Sequence, residues 1–161
     1  MLACMQISEK TLSVSAIKEG TVIDHIAPGQ AMNLLRHLKF AELETHVTIG
    51  LNLKSISCGR KDIIKLEGVF LSEMQASQIA VFSPSATVNV IEDYKVAQKF
   101  RVALPEKIEG LITCPNSRCI THAEKVPTFF NVEENSGRVL LCCKFCEKTF
   151  YLELSRVQID D

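Results

Sequence analysis

Four cysteines in the last third of the chain, set out as Cys114-Pro-Asn-Ser-Arg-Cys119 and Cys143-Lys-Phe-Cys146, limit the possible folds more than any other feature. Two short turns that each present a pair of thiolates can place four sulfurs about 2.3 Å from one tetrahedral zinc ion. With four protein ligands the coordination is closed, so the metal is expected to hold structure together and not to act on a substrate. About fifty residues surround these cysteines, too few to bury a sufficient apolar core unaided. A structural zinc supplies the difference, on the order of 10 kcal/mol or more.

Seven cysteines are present, which leaves Cys4, Cys58 and Cys142 outside this set; small apolar burial is the ordinary role of such thiols. Cys143 is chosen over Cys142 because C-x2-C is the zinc-turn spacing, and the neighbour on an extended segment points to the opposite face. The N-terminus shows no basic stretch followed by an apolar run and cleavage site, so the chain reads as cytoplasmic, where paired thiols signify metal or redox chemistry and not disulfides. His122-Ala-Glu124 ahead of Cys143-x-x-Cys146 partly matches the zinc deaminase signature. Cys142 stands where that signature has proline, however, and Cys114 and Cys119 would be left over. His122 could also replace one thiol in a Cys3His site, or lie exposed on a loop.

Hydrophobic residues make up 47% of the chain and charged residues 23%, the balance of a foldable chain of one ordinary or two small domains. No apolar run reaches membrane-spanning length. The net charge of -1 gives no overall attraction to nucleic acid. The zinc segment is balanced too, with Glu124, Glu133, Glu134 and Glu147 against Lys125, Arg138, Lys144 and Lys148. A zinc-ribbon nucleic-acid binder would need a basic, aromatic-bearing surface there.

A seam from Lys99 to Ile108 divides the chain into an expected ligand-binding domain over 1–103 and a zinc-binding domain over 104–161. Before it, Ser13 to Ile17, His46 to Leu53, Asp62 to Leu66 and Thr87 to Ile91 are strand-like, with a trailing strand around Tyr94 to Ala97. Pro28 opens a helix that carries Ala31, Leu34, Leu35 and Leu38 on one face. A second helix starts at Ser72 with a Ser72-x-x-Gln75 capping box and a Leu71–Ala76 staple, and Pro84 stops it. The order β-α-β-β-α-β predicts an α+β, ferredoxin-like domain with two helices on one face of an antiparallel sheet. Beyond the seam Gly110 to Thr113, Thr128 to Val132 and Val139 to Cys142 predict a small all-β unit.

In the first domain Lys61 and Lys65 lie four apart on an extended segment, so both leave one face about 13 Å apart, an arrangement suited to a polyanion or to a solvated strand edge. Asp24-His25 could contact base or ribose edges, or merely lead into the Pro28 helix. No Gly-rich phosphate loop, nucleophile with base, or paired carboxylates appears, which argues against an enzyme.

Gly20-Thr-Val-Ile-Asp-His-Ile26, Gly50-Leu-Asn-Leu53, Gly59-Arg-Lys-Asp-Ile-Ile-Lys-Leu-Glu67, Phe70-Leu-Ser-Glu73, Pro84-Ser-Ala-Thr-Val-Asn89, Leu104-Pro-Glu106 and Cys114-Pro-Asn-x-x-Cys-Ile120 together resemble the aspartate carbamoyltransferase regulatory chains, in order and in register from about Val14 to Phe150. That resemblance implies a non-catalytic subunit whose N-terminal allosteric domain binds CTP as inhibitor and ATP as activator and pairs with a second regulatory chain. Its zinc domain would dock on the catalytic chain, in a holoenzyme of two catalytic trimers and three regulatory dimers serving de novo pyrimidine biosynthesis. No nucleic acid or membrane is implied. The carry-over makes Asp24, Lys61, Lys65 and Lys99 polar and phosphate-side contacts, sets His25 and Asn89 near the phosphates, and puts Ile17, Val22, Tyr94 and Val96 around base and ribose. Cys114, Cys119, Cys143 and Cys146 take the zinc. Where the family pattern has a glutamate two residues before the matching isoleucine, this chain has Ser15. A free-standing nucleotide-sensing module with a zinc platform is the other reading of the same features.

Overall fold

The computed structural model describes residues 15–42 and 44–152, and its first strand starts where only glycine fits. A Cβ on Gly20 would lie 2.0 Å from the Leu66 carbonyl oxygen, and the backbone there has φ +130°. From this close approach β1 (Gly20–Ile26) runs antiparallel between β3 (Gly59–Glu67) and β4 (Thr87–Glu92). β2 (Val47–Ser55) and β5 (Lys95–Arg101) form the edges, giving a five-stranded antiparallel sheet of order β2-β3-β1-β4-β5.

Alternation along these strands sorts the sheet into two faces. Ile23, Ile64, Leu66 and Val88 are buried and enter the core with α1 (Ala31–His37) and α2 (Glu73–Phe82), through Ala31, Leu34, Leu35, Ile79, Ala80 and Phe82. The predicted capping box is present: the Ser72 hydroxyl accepts from the Gln75 N–H at 3.2 Å, and the Gln75 side chain accepts from the Ser72 N–H at 3.0 Å. Ala76 is buried and Leu71 packs on the core, as the staple requires.

After β5 the chain forms a second antiparallel sheet, β6 (Lys107–Glu109), β7 (Phe129–Asn135), β8 (Arg138–Cys143) and β9 (Thr149–Tyr151), in sequence order, with the one-turn α3 (Ile120–Ala123) between β6 and β7. The buried side chains of both sheets belong to one contiguous core, in which Val102, Ile108, Leu111 and Ile112 join Phe82 and Leu34 on one side to Phe130 and Leu141 on the other.

Three local expectations are corrected. Ser15 to Ile17 are not strand, and Ser13 lies outside the described residues; the first strand is Gly20–Ile26. The helix expected from Pro28 begins at Ala31, because Gly29 has φ +86° and Gln30 is the cap. Gly110 to Thr113 are not strand either. Gly110 turns the chain at φ +61°, and Leu111 and Ile112 dive into the core toward Cys114, with the Ile112 carbonyl capped by the buried Thr128 hydroxyl at 2.5 Å.

Candidate functional sites: an open sheet face and a four-cysteine cluster

The sheet face opposite the helices is organised by its register. Val22 pairs with both Lys65 and Asn89, and Asn89 pairs with Lys99. Residues paired directly across antiparallel strands point the same way, so Lys65, Val22, Asn89 and Lys99 form one cross-strand row. Lys61 lies on the same face of β3, two alternations from Lys65. Val96 joins them through an irregularity: it pairs with Ile91 while Gln98 pairs with Val90, so Ala97 is an extra residue. Without that bulge Val96 and Lys99, three apart, would face opposite sides. Tyr94 stands in the turn between β4 and β5 with φ +61°, and its N–H donates to the Lys18 carbonyl at 3.0 Å. This bond brings the turn to the segment carrying Ile17, which is buried but outside the contiguous core.

A second bulge, between Ile23 and Ile26, aims Asp24 and His25. The Lys61 ammonium lies 2.7 and 2.9 Å from the two Asp24 oxygens, and Asp24 also accepts from the His25 N–H at 2.7 Å. Burial alone would raise the Asp24 pKa; the Lys61 hydrogen bond, the His25 N–H and the nearby positive charges outweigh it and hold the carboxyl below its usual value. The His25 ring lies 3.3 Å from the Thr87 hydroxyl and 3.4 Å from Asp24. Lys65 is buried and donates to the Ser15 carbonyl. Desolvation lowers its pKa, with Asp24 acting in the opposite sense.

Asp62, the neighbour of Lys61, points into the protein and is fully buried. One carboxylate oxygen accepts from the N–H groups of Gly29 at 2.8 Å and Ala31 at 3.3 Å, the other from Asn52 at 2.8 Å. It therefore pins the start of α1 and the bulge of β2 to the strand that carries Lys61 and Lys65. Its sequence signal is an acid in phase with the core-facing Ile64, which is costly to bury unless hydrogen-bonded. Thr87 and the Ser15 carbonyl carry no such signal.

In the second unit the sulfurs of Cys114, Cys119, Cys143 and Cys146 lie within 4.8 Å of one another, with 3.8 Å between Cys114 and Cys146 and 3.9 Å between Cys119 and Cys143. A tetrahedron with bonds of about 2.3 Å has an edge of about 3.8 Å, so the donor set fits zinc in both chemistry and size. Cys142 is outside the cluster; its β8 position pairs with Asn131, whereas Cys143 pairs with Phe130 on the buried side. Burial raises the pKa of Cys114 and Cys143. For Cys119 burial is outweighed by the Thr121 hydroxyl and N–H, and for Cys146 by the Asn116 side chain, the Lys148 N–H and neighbouring thiols, which bring it down to about 7. Thr121, Asn116 and the Lys148 backbone thus lie where they favour the thiolate forms of Cys119 and Cys146. His122 is not in the cluster: its Nε2 meets the Cys114 carbonyl at 2.9 Å. Glu124 is exposed at the end of α3, so the deaminase-like pattern does not converge.

A five-stranded sheet with its two helices and a second sheet bearing a closed four-sulfur site define a two-unit α+β protein with a structural metal site and no catalytic constellation among the described residues. Residues 12–103 match the family model of the aspartate carbamoyltransferase regulatory chain allosteric domain, and residues 106–154 match that of its metal binding domain. The chain is 49% identical over 144 residues to the aspartate carbamoyltransferase regulatory chain of Aeromonas hydrophila, covering 89% of this chain and 94% of the relative. It is 51% identical over 142 residues to that of Edwardsiella ictaluri, covering 88% and 93%. The Yersinia enterocolitica regulatory chain is 50% identical over 139 residues, covering 86% and 90%. The chain belongs to the aspartate carbamoyltransferase regulatory chain family, a regulatory and not a catalytic chain.

Proposed function

We propose that the face of the first sheet opposite the helices binds nucleotide effectors, CTP as inhibitor and ATP as activator, and that the chain passes their effect to a catalytic chain in de novo pyrimidine biosynthesis in the cytoplasm. The observation that carries this reading is the cross-strand row of Lys65, Val22, Asn89 and Lys99 with Lys61 on the same face: cations for phosphates flank an amide and an apolar strip for base and ribose. Asp24 and His25 adjoin the Lys61 end, and Ile17, Tyr94 and Val96 adjoin the β5 end. Ser15, whose carbonyl takes the Lys65 ammonium, stands where the family pattern has a carboxylate and bears on the choice between effectors.

We assign the allosteric domain to 1–103 and the zinc domain to 104–161, with Cys114, Cys119, Cys143 and Cys146 holding one structural Zn2+. The exposed Ile120, Val126, Phe145 and Tyr151 give the second unit an apolar surface suited to the catalytic chain. The edge strand β2, with Ile49 and Leu51 exposed, suits pairing with a second regulatory chain. With these two surfaces we assign the chain to an assembly of two catalytic trimers and three regulatory dimers.

Lys65→Ala tests the reading. Charge-assisted contacts contribute roughly 1.5 to 3 kcal/mol, so CTP affinity should fall by about 10- to 150-fold in a calorimetric titration, with sedimentation showing the complex with the catalytic chain intact. Unchanged affinity removes Lys65 from the site; normal affinity with a dissociated complex reverses the roles of the two domains.

A further inference from the structure

The two domains meet at a small cavity of about 70 Å³, lined from α1 and the turn after it by Arg36, His37 and Lys39, and from the zinc-domain side by Gly110, Leu111, Ile112 and Thr113. The His37 ring stacks on Phe82 of α2, with centroids 4.4 Å apart and planes 21° from parallel. Its Nε2 is buried without a hydrogen-bond partner, and so is the Thr113 hydroxyl oxygen on the other wall. Thr113 directly precedes Cys114. At the other end of α1, Asp62 fastens the Gly29 and Ala31 amides to the strand of Lys61 and Lys65. Thus α1 runs, on the helix side of the sheet, from the strand that carries Lys61 and Lys65 to the segment leading into the four-cysteine unit, and His37 is its far contact.

We propose that His37 is a proton-operated latch between the two domains, closed when the imidazole is neutral and released when it is protonated. A neutral ring can stack on Phe82, meet the Leu111 backbone and offer Nε2 as an acceptor to the Thr113 hydroxyl after a small approach. Protonation adds a cation beside Arg36 and Lys39 in a lining with no carboxylate. Phe82 from α2 and residues 110–113 bring no titratable group to offset it. Burial already lowers the His37 pKa and Arg36 acts in the same sense, against an opposing contribution from the Leu111 backbone. For a base whose folded pKa is depressed, the linked stability is complete above the unfolded value of 6.5 and is lost as pH falls through the folded value. The latch therefore loosens on acidification, in the range where histidine titrates.

The test uses the full metal-loaded chain without nucleotide, so it does not depend on effector binding. Hydrogen exchange, corrected for intrinsic rates, is followed from pH 7.5 to 5.5 at the amides of Gly110, which donates to Thr128, and Leu38, which donates to Leu34. The Glu147 amide, which donates to Cys143, reports on the metal site. The wild-type chain should show opening at Gly110 and Leu38 that increases by up to about tenfold per pH unit, with Glu147 unchanged. His37→Gln and His37→Leu should both flatten that dependence, the first without changing ring-pocket polarity, the second as a repacking control. A His37 NMR titration midpoint at or above the ordinary histidine value overturns the proposal. So does a wild-type pH profile retained in both variants, or exchange at Glu147 rising in step, which would trace the opening to release of the metal.

Discussion

At the scale of single residues, adjacent positions in this chain have opposite fates because they lie on opposite faces of a strand. Lys61 meets solvent and Asp24, while Asp62 is enclosed by backbone N–H groups; Cys143 turns toward three other sulfurs, while Cys142 turns away. The cysteine pair makes the sharper experiment. Cys143→Ser leaves three thiolates for a structural metal whose binding contributes on the order of 10 kcal/mol, so zinc content should fall below one per chain and the second unit should lose its tertiary near-ultraviolet signal. Cys142→Ser should retain both. Equal losses would put Cys142 in the coordination sphere. Here the chain itself was legible: C-x2-C spacing and strand alternation choose the right thiol, because both are local rules.

At the scale of elements, legibility followed the same distinction. The capping box at Ser72, the three buried positions of α1 and the strands over Val47–Ser55 and Thr87–Glu92 rest on local spacing, and they match. The strand expected at Ser13 to Ile17 rested on β propensity alone. The actual strand at Gly20 depends on contact with the Leu66 backbone, a tertiary condition that propensity does not carry. Gly110 to Thr113 has strand composition but is drawn into the core by the cysteine turn. Asp62 is the clearest case of an element-level role that sequence signals only as a buried acid, since its three donors come from two other segments of the chain, Gly29 with Ala31 and Asn52. Replacing it with alanine leaves the amide of the buried Ala31 without an acceptor and frees those of the exposed Gly29 and Asn52, and the loss should be roughly 1 to 3 kcal/mol in urea denaturation of the metal-loaded chain. A loss below about 1 kcal/mol would mean that water satisfies those amides.

At the scale of the whole molecule, the two units share one core, so the domain division is a matter of ligand chemistry more than of packing. Ile108, Leu111 and Ile112 cover apolar surface of the first domain and at the same time lead to Cys114. Removing the metal with a mercurial and a chelator should therefore do more than unfold the second unit. The calorimetric transition of the first domain should also move down by several degrees, because each kcal/mol of lost packing shifts a domain of this size by about 4 to 8 °C. An unchanged transition would show that the first domain closes over its own core once the second unit is gone.

The extra residue in β5 carries a different implication, one of chain length. Because Ala97 is unpaired, a chain shorter by that one residue could pair Val96 with Ile91 and Gln98 with Val90 in an uninterrupted ladder and still show Val96 and Lys99 to the same side. The outer strand is thus a place where insertions and deletions can accumulate without re-addressing the side chains around it, whereas the same change in the central β1 would turn Val22 toward the helices. Spacing between Val96 and Lys99 is consequently a poor signature for finding distant relatives; what persists is the partner each has on β4.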